Sequence, residues 1–192
     1  DPGQAAVAEA FRAAGAEVVF GVILGTGVGA GVAVHGQALT GANAIAGEWG
    51  HNPLPWPRDD ERPGAACYCG RHGCVETWLS GRQFALRFQE ATGLGWDSRR
   101  IVAEAQAGQP AAARAFDRYC DRLARGLAHV INVLDPQVIV LGGGMSNVAA
   151  LYAEIPARWG RYVFSDTVAT RLVAPAHGDS SGVRGAAWLW GR

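Results

Sequence analysis

Residues 17–34 read EVVFGVILGTGVGAGVAV, and this stretch decides the fold class. Residues 17–24 form a nearly continuous apolar run with β-branched members, which is the pattern of a buried strand. Residues 25–29 (GTGVG) have the composition of a tight turn, because glycine adopts backbone angles that other residues avoid. Residues 30–34 (AGVAV) predict a second short strand. The stretch therefore predicts a β-hairpin with a glycine-rich turn.

Helical and strand patterns alternate along the rest of the chain. Apolar residues recur every three or four positions from residue 110 to 134, which predicts one long helix that ends at Asp135. Residues 137–141 (QVIVL) predict a buried strand that runs into a second glycine cluster at 142–144. Further helices are predicted at residues 4–14, 75–91, 147–159 and about 181–190, and a strand at about 170–174. This alternation predicts an α/β fold.

The composition excludes several classes of protein. The chain has 192 residues, of which 49% are hydrophobic and 18% charged, so one domain or at most two can bury a core. Acidic and basic residues balance at 17 each, which argues against a partner such as nucleic acid or an anionic membrane. No lysine is present, which excludes a Walker-A phosphate loop and a pyridoxal-phosphate Schiff base. No apolar run reaches the roughly 18 residues that span a bilayer.

Each glycine cluster supports two interpretations. In the turn at residues 25–29, bare backbone N–H groups and the Thr26 hydroxyl can approach a phosphate, or the glycines only supply the positive φ of a hairpin. A dinucleotide-binding loop is disfavoured, because such a loop opens a helix and residues 30–34 are strand-like. The cluster at 142–144 follows a strand and precedes a helix, where a nucleotide base or ribose can bind. Its alternative role is a tight strand-to-helix turn.

Three of the four cysteines lie within a single short, glycine-containing loop. They are Cys67, Cys69 and Cys74. Three thiolates and one imidazole form the closed tetrahedral site that is typical of structural zinc. Candidates for the fourth ligand are His51, His72 and Cys120, and His51 is favoured because it ends the rigid turn GEWGH. The alternatives to zinc are a disulfide between the first and last of the three cysteines, or free thiols.

Five motifs in order resemble those of the ROK (repressor, open reading frame, kinase) family of sugar kinases, over nearly the whole chain. They are GVILGTGVGAGV, GEWGHNPLPW, CYCGRHGCVETWLSG, LDPQVIVLGGGMSN and HGDSSGVRGAAWLW. The second and the last are most similar to those of bacterial fructokinases (manno-fructokinases). N-acetylglucosamine kinase and glucokinase are the alternatives within the family. A sugar-binding lobe without catalysis and the body of a transcriptional repressor are alternatives outside kinase chemistry.

The resemblance implies an actin-like (ribonuclease H-like) ATPase fold with two lobes. Residues 1–192 are then the C-terminal lobe, with an inserted zinc knuckle at 51–74. The N-terminal lobe, with its D-x-G-G-T phosphate loop, is absent from the given sequence and expected upstream of it. The implied activity is phosphorylation of a hexose hydroxyl by ATP with Mg²⁺, beside a structural Zn²⁺. The implied protein is a cytoplasmic homodimer whose ligands are sugar and ATP, without nucleic-acid or membrane partners.

The resemblance also implies a role for individual residues. The sugar contacts map onto Glu48, His51 and Glu76, and the catalytic base maps onto Asp1. The zinc ligands are His51, Cys67, Cys69 and Cys74. The phosphate loop maps onto Gly25, Thr26, Gly27, Val28, Gly29, Ala30 and Gly31. The turn beside the adenosine maps onto Gly142, Gly143, Gly144 and Met145.

Overall fold

The computed structural model describes residues 16–175. The helices predicted at 4–14 and 181–190 and the expected base Asp1 lie outside the described residues. The strands are β1 (Val18–Leu24), β2 (Val28–Val34), β3 (Gln37–Ala38), β4 (Val138–Gly142) and β5 (Arg171–Val173). The α-helices are α1 (Glu76–Leu79), α2 (Gly81–Thr92), α3 (Ser98–Gln106), α4 (Pro110–Leu134), α5 (Leu151–Glu154) and α6 (Pro156–Trp159). None of these helices combines the length and the apolar character that crossing a bilayer requires.

The five strands form one mixed sheet in the order β3-β2-β1-β4-β5. The predicted hairpin is confirmed, since β1 and β2 pair antiparallel from Val18 opposite Val34 to Leu24 opposite Val28. Strands β1 and β4 run parallel, and Ile23 lies opposite Gly142. Parallel neighbours end at the same edge of a sheet. The two glycine clusters, which follow β1 and β4, therefore lie side by side.

The long predicted helix is confirmed as α4, and it forms the centre of the core. Its inner face is fully buried against the sheet and against Trp49. A Cβ on Gly126 would lie 2.8 Å from the Trp49 ring, so the glycine within this helix makes room for the indole. The Trp49 ring in turn meets Phe20 of β1 edge-on at 5.9 Å. Asp135 ends the helix in the left-handed conformation, with φ of 48°.

Two helices that were predicted as continuous are each divided into shorter elements. The helix expected at 75–91 is divided into α1 and α2, because Ser80 is extended and its hydroxyl accepts a hydrogen bond from the N–H of Gln83. The helix expected at 147–159 is a 3₁₀ turn (Gly144–Asn147) followed by the two single-turn helices α5 and α6. Pro156, which has no N–H to donate, separates α5 from α6. Helix α3 was not predicted, and Asp97 caps it by accepting from the N–H of Arg100.

The proline-rich stretch at residues 52–66 is fixed to the core through a buried carboxylate. Glu61 from this stretch is buried, and Arg125 of α4 donates to both of its carboxylate oxygens at 2.9 and 3.0 Å. Arg125 also donates to the carbonyl of Trp56 at 2.6 Å. Asp121 of α4 pairs with Arg58 at 2.9 Å. These side chains, together with Arg122, form the ion-pair network that fixes the stretch to α4.

Candidate functional site

The tip of the glycine turn is tied to the start of α1 through the Glu76 side chain. Oε2 of Glu76 accepts a hydrogen bond from the N–H of Val28 at 2.9 Å. A Cβ at Gly27 would lie 2.6 Å from the same oxygen, so glycine is needed for this close approach. The N–H of Glu76 donates to the carbonyl of Gly50 at 2.9 Å, which fixes the backbone behind the carboxylate. Sequence reasoning missed this link, because nothing in the spacing of the two motifs indicates it.

The second glycine cluster touches the end of β1. Gly143 has φ of 75°, and a Cβ there would lie 2.7 Å from the carbonyl oxygen of Leu24. Of the residues mapped onto the phosphate loop, Val28, Gly29, Ala30 and Gly31 belong to strand β2. Residues 25–27 alone form the exposed tip.

Two clefts meet at this tip. The Glu76 cleft has a volume of about 460 Å³ and lies on the side of α1. The Met145 cleft has a volume of about 300 Å³ and lies on the side of the second glycine cluster. Thr26 and Arg82 line both clefts. Other lining residues are Gly27, Tyr68 and Glu76 for the first, and Gly25, Gly144 and Met145 for the second.

The structure brings the four expected metal ligands together in one group, the Cys/His cluster. Its members are His51, Cys67, Cys69 and Cys74, whose ligand atoms all lie within 4.8 Å of one another. Cys67 Sγ lies 3.5 Å from His51 Nδ1, and Cys69 Sγ lies 3.6 Å from Cys74 Sγ. A tetrahedral zinc ion would separate such atoms by about 3.6 Å (S to N) and about 3.8 Å (S to S). The donor set therefore fits zinc.

The electrostatics of the thiols also favour a cation. A backbone hydrogen bond from Arg71 lowers the pKa of Cys69 to about 7. Burial raises the pKa of Cys74 to about 12, and the neighbouring thiols add to the rise. Three thiolates at this spacing need a positive charge among them, which a dication supplies. Cys120 is buried in α4 outside the cluster, and all four cysteines are free.

Tyr68 is a site residue that sequence reasoning missed. Its hydroxyl lies 2.7 Å from Nε2 of His51, the nitrogen that a cluster bound through Nδ1 leaves free. The two rings meet edge-on at 4.9 Å. Desolvation, followed by the charge of Glu76, raises the pKa of Tyr68. The one available signal was its place between Cys67 and Cys69, which brings any side chain there close to the cluster.

Glu48 does not line the Glu76 cleft, although the charges of both carboxylates help to raise the pKa of Tyr68. It is exposed and lines a third cleft, of about 410 Å³, with Phe20, His129 and Val133. The turn that carries it approaches β2 closely, since a Cβ at Gly47 would lie 2.6 Å from the Cα of Gly31. The structure therefore places Glu76 and Glu48 in the linings of two different clefts, while His51 reaches the Glu76 cleft only through its contact with Tyr68.

The chain is similar in sequence to curated sugar kinases. A curated relative is the N-acetyl-D-glucosamine kinase of Vibrio atlanticus (strain LGP32), which is 39% identical over 175 residues. The match covers 89% of this chain and 58% of the relative. The chain therefore spans less than two thirds of the length of this relative.

Two solved structures share the fold. The first is a ROK family glucokinase from Streptomyces griseus in complex with glucose and AMPPNP, with 27% identity, a TM-score of 0.84, and coverage of 98% of this chain and 66% of that one. The second is the ROK hexokinase from Thermus thermophilus, with 30% identity, a TM-score of 0.85, and coverage of 98% and 64%. The ROK family model matches residues 1–192, and the chain thus belongs to the ROK family.

Proposed function

We propose that the chain is the C-terminal lobe of a kinase that transfers a phosphoryl group from ATP to a hexose hydroxyl. The observation that carries this proposal is that the Glu76 cleft and the Met145 cleft share Thr26 and Arg82. A sugar in the first cleft and a nucleotide in the second would meet at the tip of the glycine turn. Phosphoryl transfer depends mainly on such positioning and on neutralising the phosphate charge.

The proposed roles follow the clefts. In residues 25–27, the N–H groups of Thr26 and Gly27 would hold phosphate oxygens, since the N–H of Gly25 donates to the carbonyl of Gly27 within the turn. Residues 142–145 would contact the adenosine. Glu48, His51 and Glu76 would bind sugar hydroxyls, and Asp1 would accept the proton of the attacking hydroxyl. Mg²⁺ bound with ATP would neutralise charge on the phosphates.

The same proposal assigns zinc a positioning role. His51, Cys67, Cys69 and Cys74 would hold the ion, and its chemistry there is to fix four ligands in one tetrahedral arrangement. Cys74 lies two residues before Glu76, whose carboxylate contacts the glycine turn. The cluster would therefore hold the sugar side of the site against the phosphate side.

The preferred hexose is proposed to be N-acetylglucosamine. The name of the Vibrio atlanticus relative, at 39% identity, supports this choice. Fructose is the second candidate, because the motifs GEWGHNPLPW and HGDSSGVRGAAWLW are similar to those of bacterial fructokinases. Glucose is the third, since one structural neighbour is a glucokinase bound to glucose.

The test is ADP release by the full-length protein with N-acetylglucosamine, fructose, mannose and glucose. We expect turnover with N-acetylglucosamine to be the fastest, and Glu76→Gln to lose at least tenfold in kcat/KM. Glu104→Gln, on α3 and remote from both clefts, is the matched control and should retain activity. Sugar binding without ADP release from a folded, zinc-loaded protein would contradict the proposal and favour a repressor body or a non-catalytic lobe.

A further inference from the structure

A cleft of about 540 Å³ lies between α2 and α4, outside the site described above. We call it the arginine pocket, because four arginines line it. Three of them pair with Asp60, Glu61 or Glu90, and the fourth gives the lining an excess of positive charge. The four are Arg87, Arg114, Arg118 and Arg122. The chain as a whole has no net charge, so this concentration of positive charge is local. A cleft with such a lining attracts anions.

In two of the four arginines, the Nη groups have no acceptor among the described residues. Arg122 donates through Nε to Glu61 at 2.8 Å, and neither of its Nη groups has an acceptor within residues 16–175. Burial lowers the pKa of Arg122, although the hydrogen bond to Glu61 opposes this shift. The like charge of Arg118 lowers the pKa further. Arg114 is exposed on the same face of α4 and makes no hydrogen bond or ion pair with the described residues. An anion would satisfy both guanidinium groups.

The other two arginines form ion pairs through their Nη groups, whereas their Nε atoms have no acceptor among residues 16–175. Arg87 pairs with Glu90 at 3.0 Å, and Arg118 pairs with Asp60 at 2.6 Å. The Nε atoms of both are buried without an acceptor in the described part of the chain. Buried unpaired donors are rare, and a bound ion or an ordered water commonly accounts for them.

Trp78 orders the pocket and gives it an apolar wall. The guanidinium carbon of Arg122 lies 4.3 Å from the centroid of the Trp78 ring, and that of Arg87 lies 5.5 Å from it. Phe84 and Phe88 extend the same wall. Guanidinium groups stacked on an aromatic ring lose little further freedom when they bind a ligand. The pocket is therefore preorganised for an anion that carries a compact organic group.

We propose that the arginine pocket binds the phosphate group of a small molecule. The planar forks of Arg114 and Arg122 match the oxygens of a phosphate, which accepts several charge-assisted hydrogen bonds at once. A volume of about 540 Å³ exceeds the space that a bare phosphate needs and leaves room for a sugar-sized group against Trp78.

The pocket is distinct from the Glu76 cleft although one helix separates them. Thr77 of α1 lines the Glu76 cleft, and Trp78, the next residue, lines the arginine pocket. Helix α2 also reaches both, since the N–H of Gly81 donates to the carbonyl of Gly25 at 2.8 Å. The proposal does not depend on the kinase assignment, because none of the four arginines lines either cleft of the proposed site.

Calorimetric titration of the full-length protein with inorganic phosphate and with glucose 6-phosphate, at constant ionic strength, tests the proposal. Arg114→Gln should weaken binding by about tenfold, because it removes a charge-assisted contact from an exposed position that the fold does not need. The matched control is Arg99→Gln, an exposed arginine on α3, which should bind within twofold of the unmodified protein. Unfolding curves of both variants should coincide with that of the unmodified protein.

The two ligands separate the possible sources of the phosphate. Tighter binding of glucose 6-phosphate than of inorganic phosphate supports a phosphorylated metabolite, and equal binding supports free phosphate. Glucose 6-phosphate can also enter the Glu76 cleft, so the decisive quantity is the difference between Arg114→Gln and Arg99→Gln. Equal affinities in these two variants, or no binding of either ligand, would overturn the proposal.

Discussion

Two anchors hold residues 49–80 to the rest of the molecule, and they differ in where their balancing charge comes from. In the ion-pair network, the buried carboxylate of Glu61 meets Arg122 and Arg125, so the protein supplies both signs. In the Cys/His cluster, three thiols and one imidazole face one another. The protein supplies both charges of the first anchor, whereas the zinc ion that we propose would supply the positive charge of the second.

We expect the ion-pair network to stabilise the fold and the Cys/His cluster to position the site. The ion-pair network joins residues 52–66 to α4 in the interior. A buried charge without its partner would there lower the free energy of unfolding. The Cys/His cluster faces the Glu76 cleft, and Cys74 is close in sequence to the carboxylate that contacts the glycine turn. Damage to the first anchor should therefore appear in the free energy of unfolding. Damage to the second should appear in bound metal and in sugar turnover.

The largest effect is expected from removal of a cluster ligand. Cys69→Ser in the full-length protein should lower bound zinc from about one ion per chain to near zero, because three ligands do not close a tetrahedral site. Sugar turnover should fall with it. The control is Cys120→Ser, a buried thiol outside the cluster, which should retain the metal. Metal content by mass spectrometry decides between these results, and a zinc-free but fully active Cys69→Ser protein would refute the role of the cluster.

The ion-pair network gives the next largest effect. Glu61→Gln removes the carboxylate that pairs with Arg122 and leaves Arg125 with Asp121 alone. It should lower the free energy of unfolding by about 3 kcal/mol, because both guanidinium groups are largely buried. Asp59→Asn changes a fully exposed carboxylate two residues away and should cost no more than about 0.5 kcal/mol. Denaturant unfolding curves measure both. Equal curves for the two variants would show that the network contributes nothing.

The third test concerns a proposed sugar contact that lies outside both anchors. Glu48→Gln should lower kcat/KM for the hexose by an amount that corresponds to a loss of about 2–4 kcal/mol in transition-state stabilisation, since a charge-assisted contact to a hydroxyl is lost. Zinc content and stability should not change. Glu17→Gln, an exposed carboxylate outside the described clefts, serves as the control. Unchanged kinetics in Glu48→Gln would remove Glu48 from the site, in line with its position at a separate cleft.

Acid should disrupt the ion-pair network through one identified group. Burial alone would raise the pKa of Glu61, but hydrogen bonds from the Arg58 N–H, Arg122 and Arg125 lower it from 4.5 to about 2. A carboxyl group with a depressed pKa stabilises the fold above its unfolded value and loses that contribution as pH falls. The Glu61 contribution should therefore be complete above pH 4.5 and lost by about pH 2. Unfolding curves across this range should converge for the unmodified protein and Glu61→Gln, and parallel curves would contradict the assignment.

The smallest effect is expected from Tyr68→Phe. The change removes the hydroxyl at 2.7 Å from His51 and leaves an exposed ring in place. Stability should change by less than about 0.5 kcal/mol, and zinc should be retained. The KM for the hexose should shift, because the freed nitrogen becomes available to a sugar hydroxyl. An unchanged KM would show that Tyr68 does not influence sugar binding.

Local patterns predicted much of this architecture, and long-range contacts limited the rest. The hairpin of β1 and β2 and the helix α4 follow from apolar periodicity, which depends only on near neighbours in sequence. The grouping of His51 with three cysteines follows from ligand chemistry. In contrast, the burial of Glu61 depends on Arg125, 64 residues away, and the link from Glu76 to Val28 spans 48 residues. A single sequence carries no signal for such pairs.

The proposed role of the Cys/His cluster is to hold the site of a sugar kinase in its active geometry. The test is the rate of ADP release with N-acetylglucosamine by the full-length protein at decreasing zinc content. A chelator removes the zinc, dialysis then removes the chelator, and zinc is finally added back. Excess Mg²⁺ and ATP are kept constant in every assay. We expect the rate to fall in proportion to bound zinc and to return when zinc is added back. A rate that is unchanged in zinc-free protein would contradict it.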